Sequence, residues 1–142
     1  MRIVHRRKAG RRDGGADPAD MGDSADAPSE ETRTVLAPDA TIAESFLAKA
    51  RGLMFRDSVP PGGGLIFPFD HPVNRTVHMF FVRFPIDVVF LVRGRVQRVE
   101  TLAPWLGFAR ARADTIIELP AGQASDVERG DPVMIEPAED AD

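Results

Sequence analysis

Asp87 lies inside an otherwise apolar run, Pro85-Ile86-Asp87-Val88-Val89-Phe90. A carboxylate in such a run must be hydrogen-bonded or paired if it is buried. Two uses fit: a structural acceptor for Arg51 or for backbone N–H groups, or a general base or ligand-binding carboxylate tuned by its apolar setting. Glu118, within Thr115-Ile116-Ile117-Glu118-Leu119, poses the same question and leans to structure. Arg51 and Arg56 flank Gly52-Leu53-Met54-Phe55, where they either complement a helix C-terminus or grip an anion through bidentate guanidinium geometry.

Other chemistries find less. His71 and His78, with Asp70 beside the first, are the material of a metal site, but no His-x-His or His-Glu-x-x-His spacing fixes their directions. Gly62-Gly63-Gly64 lacks the Lys-Ser/Thr ending of a phosphate loop and reads as a flexible loop or lid. No Gly-x-Ser-x-Gly elbow occurs, and Ser45 and Ser58 have no histidine in a recognisable context. Without cysteine there are no disulfides, thiolate metal sites or cysteine nucleophiles. The expectation is therefore no metal and no cofactor. Pro104, Trp105, Leu106 and Phe108 form an apolar group that either closes the core as a flap or stands exposed and stacks on a sugar or a partner protein.

These residues must be positioned by one fold, because 142 residues leave no room for a second domain. Met1–His5 reads as a first strand, and residues 6–31 as a disordered insertion or tail whose charges segregate, positive before negative. Residues 32–137 form the globular domain, and 138–142 an acidic disordered end. Ile42, Phe46, Leu47, Ala50 and Leu53 recur at helical spacing, predicting one main helix over about residues 40–52. Strands are expected over 33–36, 65–67, 115–119 and 133–136, with 75–82 β-rich. A hairpin joins 86–92 to 95–102 through Arg93-Gly94. Asp70–Asn74 reads as a turn and 103–113 as a loop. The expected class is α+β, mostly β: a small open antiparallel sheet or barrel-like fold with that helix.

Arg51-Gly52-Leu53-Met54-Phe55-Arg56, Gly64-Leu65-Ile66-Phe67, His78-Met79 with Pro85-Ile86-Asp87-Val88-Val89-Phe90, and Glu118-Leu119-Pro120-Ala121-Gly122 with Gly130-Asp131 follow in order. This arrangement resembles the uncharacterised family DUF192 (UPF0127) over residues 32–136. The resemblance implies a small β-rich fold and no established activity. Where that family commonly has a Trp-Met-Lys-Asn-Thr run, this chain has His78-Met79-Phe80-Phe81-Val82.

The functional expectation is a non-catalytic module binding a small molecule or a protein partner. Its pocket would be formed by Arg51, Met54, His78, Met79, Asp87 and Trp105, with Phe67 in the wall. A hydrolase-like enzyme using Asp87 with His78 or Glu118 is the alternative, and a structural or interaction protein a third. Scattered arginines without a basic helix or aromatic RNA-binding motif argue against nucleic acid as a partner. Met1–Arg12 lacks the apolar segment of a secretory signal, and Met79–Val92 is too short and too charged to span a membrane, so a soluble cytoplasmic protein is expected. A monomer or weak homo-oligomer is expected. Two lysines, no cysteine and many Asp and Glu point to a prokaryotic, high-GC and salt-adapted source.

Overall fold

The Arg93-Gly94 turn sets one of the protein's central hairpins. Both residues adopt positive φ, 50° and 76°, the two-residue geometry whose twist matches that of the flanking strands. In the computed structural model, which describes residues 1–8, 31–43 and 59–137, this turn joins β5 (Ile86–Val92) to β6 (Arg95–Leu102). The other strands are β1 (Arg2–Lys8), β2 (Glu31–Ala37), β3 (Asp39–Ile42), β4 (Gly63–His78), β7 (Phe108–Pro120) and β8 (Val133–Glu136). They form a five-stranded sheet in the order β3-β4-β7-β5-β6 and a three-stranded sheet in the order β2-β1-β8. All pairings are antiparallel except β3 with β4.

The described part of the chain is therefore all β, which corrects the α+β expectation. Asp39–Ile42, where the helix over 40–52 was to begin, is a parallel strand beside Gly63–Ile66. The backbone explains why. Asp39 N–H donates to the Gly62 carbonyl and Ala40 N–H to the Met1 carbonyl, and Ala43 N–H, the first donor a helix starting here would use internally, goes to the Ile66 carbonyl; β-branched Thr41 and Ile42 suit a strand. The remainder of that expected helix lies outside the described residues, as do residues 138–142. β1 runs on to Lys8 and β2 begins at Glu31, so the expected 6–31 segment loses both ends to strands, and the rest of it is likewise outside.

β7 holds the large sheet together. Its C-terminal half pairs with β4 on one side and β5 on the other, and Ile116–Leu119 are buried. Its N-terminal half, Phe108–Ala113, pairs with Val73–His78, where the sequence suggested a loop. The alternation there is sound, but its inward members are Ala109, Ala111 and Ala113, too small to give a strong hydrophobic signal. The expected turn at Asp70–Asn74 is a shift of register within β4. Arg75 fixes it: the guanidinium donates to the carbonyls of Ala113 (3.0 Å) and His71 (2.9 Å) and stacks 3.7 Å from the centre of Phe69.

Because both faces of the large sheet are covered, Ile86–Leu91 is buried without interruption. On one face Leu65, Phe67, Val88, Phe90 and Ile116 pack with Val77, Met79, Val82 and Leu102. On the other Ile66, Val89, Leu91, Ile117 and Leu119 meet Ile3, Leu36 and Val133 of the small sheet. Each fully buried aliphatic or aromatic side chain stabilises the fold by about 1.5–3 kcal/mol.

Candidate functional site

Asp87 is 3% exposed, and its carboxylate is used by neighbouring chain. Oδ2 accepts from the N–H groups of Gly122 and Ala124, both at 2.9 Å, and Oδ1 accepts the Thr101 hydroxyl at 2.6 Å. Gly122 has φ 93°, which lets the turn after β7 fold its amides onto β5. The carboxylate thus ties β6 and the 121–124 turn to the middle of the sheet.

Glu118 faces the other way. It stands opposite Leu65 and Val88, both in the first cluster, whereas Asp87 stands opposite Leu119 of the second. The sheet separates the two carboxylates. His78 is exposed at the end of β4; its Nδ1 accepts the Phe80 N–H at 3.3 Å and its ring centre is 5.0 Å from that of Phe80.

A second buried polar pair was not singled out in the sequence. His5 and Asp131 are 2% and 7% exposed, and His5 Nε2 lies 2.9 Å from Asp131 Oδ2, so the imidazole N–H donates to the carboxylate. The same oxygen accepts the Glu128 N–H at 2.9 Å. Arg6 N–H donates to the Pro132 carbonyl and Val96 N–H to that of Asp131, so this turn joins the small sheet to β6. A histidine ending the β-prone stretch Met1–His5, together with Gly130-Asp131, was the available signal.

Of the six expected pocket residues, Arg51 and Met54 lie outside the described residues, as does Arg56. Met79 is fully buried in the first cluster with Phe67, on the opposite side of the sheet from Asp87. His78 and Trp105 are at the surface. The sheet does not bring Met79 and Asp87 to one cavity. Asp70 and His71 are exposed at the register shift in β4. Among the described residues no three His, Asp or Glu side chains are grouped to hold a metal ion.

Trp105 belongs to an exposed group. Phe80, Phe81, Trp105, Leu106 and Phe108 are 61%, 45%, 47%, 87% and 70% exposed. They come from two turns laced together and from the first residue of β7: Met79 N–H donates to the Gly107 carbonyl and Trp105 N–H to that of Val82. Phe81 and Trp105 meet edge to face, with ring centres 5.7 Å apart. Both hold positive φ, 62° and 67°, a conformation that costs a bulky L-residue about 1–2 kcal/mol.

Among the described residues, two facing β-sheets, a buried carboxylate bound to backbone N–H groups and an apolar turn cluster at the surface define a small β-rich domain. The chain belongs to the DUF192 family, described as an uncharacterized ACR, which it matches over residues 28–135. It is 42% identical over 88 residues to a UPF0127 protein of Pyrococcus horikoshii, spanning 59% of this chain and 74% of that protein. A UPF0127 protein of Pyrococcus abyssi is 41% identical over 98 residues, 65% of this chain and 81% of its own length. The fold resembles the crystal structure of a protein of unknown function from Novosphingobium aromaticivorans, with a TM-score of 0.64 and 25% identity over 72% of this chain and 77% of that one. It also resembles that of a putative transcription regulator from Sinorhizobium meliloti, with a TM-score of 0.66 and 18% identity over 94% and 92% of the chains. The second likeness is one of fold alone. Among the described residues no helix is long and apolar enough to cross a membrane.

Proposed function

We propose that this protein is a non-catalytic binding module whose binding surface is the apolar turn cluster around Trp105, and that its ligand is a protein partner. The observation that carries this reading is the contiguous exposure of Phe80, Phe81, Trp105, Leu106 and Phe108. Solvent-exposed apolar groups of this kind mark interaction sites, and backbone strain at Phe81 and Trp105 is characteristic of functional surfaces. A sugar site would need converging polar groups around the rings, whereas Leu106 and Phe108 project as apolar side chains suited to a complementary apolar surface.

The hydrolase alternative gains no support from the geometry. Asp87 has both oxygens engaged, Glu118 lies across the sheet from it, and His78 bonds to neither. The test is photo-crosslinking in lysate of the source organism with p-benzoylphenylalanine replacing Phe80, and with the same group replacing Met134 as a control on β8. The proposal expects one discrete adduct from Phe80, none from Met134, and loss of that adduct in Leu106→Ser/Phe108→Thr. No adduct, or equal adducts at both positions, would overturn it.

A further inference from the structure

Beginning two residues beyond Phe108 along β7, four arginines line a groove of about 620 Å³: Arg98 on β6, Arg110 and Arg112 on β7, and Arg129 in the turn before β8. The chain as a whole carries a net charge of −4, so this positive charge is gathered against the average. β7 creates part of it, because Arg110 and Arg112 alternate with inward-facing alanines and project from the same side of the strand. Arg98 is held in place: its guanidinium donates to the Arg110 carbonyl at 2.9 Å and lies 2.6 Å from the Glu100 carboxylate. Among the described residues, Arg110, Arg112 and Arg129 have no carboxylate at ion-pair distance. Glu128 is the one acid in the lining, leaving an excess of positive charge that an anion would relieve.

We infer that this groove binds a phosphate-bearing small molecule. Its volume falls within the roughly 300–1,000 Å³ usual for small-molecule sites, and Val99 and Val127 give it apolar lining beside the charged groups. Guanidinium forks match phosphate oxygens in pairs, and several of them from separate elements suit a ligand with more than one negative charge. The inference stands on this groove alone and does not depend on the turn cluster binding a protein.

The test is a ¹⁵N NMR titration of the full chain with sodium pyrophosphate and with ADP, against sodium chloride and sodium sulfate at equal ionic strength. Pyrophosphate and ADP should give saturable shifts concentrated at Val99, Ala111 and Val127, while chloride and sulfate do not. Arg110→Thr/Arg112→Thr should weaken binding at least about tenfold, the loss expected for charge-assisted hydrogen bonds, with an otherwise unchanged spectrum. Arg93→Asn, which removes a charge outside the groove at a residue of positive φ, should change affinity less than about twofold. Non-saturable shifts, the same response to sulfate, or equal weakening by Arg93→Asn would overturn the inference. So would tighter binding of a mixed-sequence 20-nucleotide RNA with shifts spreading over His78 and Phe108, which would mark a nucleic-acid surface instead.

Discussion

Asp87 and Glu118 occupy adjacent strands one step out of register, so the sheet directs their carboxylates to opposite faces: Val88 is the residue opposite Glu118, and Leu119 the residue opposite Asp87. Two acids that look interchangeable in the sequence therefore belong to separate environments. Asp87 organises the 121–124 turn on one side, and Glu118 sits among the apolar side chains of the other.

Removing the Asp87 carboxylate should loosen that turn. Asp87→Ala leaves the Gly122 and Ala124 N–H groups without their acceptor and should cost about 2–5 kcal/mol. Asp87→Asn keeps an amide oxygen for those two donors and turns its NH₂ toward Thr101 Oγ1, so its cost should be nearer 1–2 kcal/mol. Urea denaturation of both variants, with Thr101→Val in a double-mutant cycle, checks the order. Equal losses for Ala and Asn would mean the hydrogen bonds are not what the carboxylate contributes.

How much of this was legible in advance can be judged at the same residues. The Pro85–Phe90 run announced a buried acid in a strand, and the two β-prone runs flanking Arg93-Gly94 announced the β5–β6 hairpin. Neither could show which face Asp87 occupies, because a strand buried on both sides carries no alternation to orient it. The helix expected over 40–52 began from an apolar spacing at Ile42. Asp39–Ile42 instead pairs with Gly63–Ile66, a non-local partner that local spacing cannot reveal. Trp105 was visible as an apolar group in turn-like sequence, where a flap closing the core was the favoured reading; Trp105, Leu106 and Phe108 are instead exposed, because composition alone does not show whether an apolar turn folds inward. The groove drew no notice, since Arg98, Arg110, Arg112 and Arg129 are scattered along the sequence and come together only in the fold.

The His5–Asp131 pair should act as a clamp between the sheets. Asp131→Ala removes the acceptor of both His5 and the Glu128 N–H, with an expected cost of about 2–4 kcal/mol. Hydrogen exchange should speed up in β1 and at 128–132 while Ile116–Leu119 remains protected. Uniform acceleration across all strands would show that the pair has no local role.

Gly107 should prove irreplaceable for the turn cluster. A Cβ at this position would lie 2.8 Å from both the backbone N and O of Ala103 and 2.9 Å from Leu102 Cβ, and backbone cannot yield as a flexible side chain does. Gly107→Ala should destabilise by about 1–3 kcal/mol and shift the emission of Trp105, the only tryptophan in the chain. An unchanged spectrum would mean that the turn is not held as described.

The most direct measurement for the account as a whole is the stability of Leu106→Ser/Phe108→Thr, followed by circular dichroism in urea, set beside its crosslinking from position 80. Side chains that are 87% and 70% exposed contribute little to the core, so the unfolding free energy should stay within about 1 kcal/mol of the parent while the crosslinked adduct disappears. A loss of several kcal/mol, or an adduct that survives at full yield, would contradict the assignment of this cluster as the binding surface.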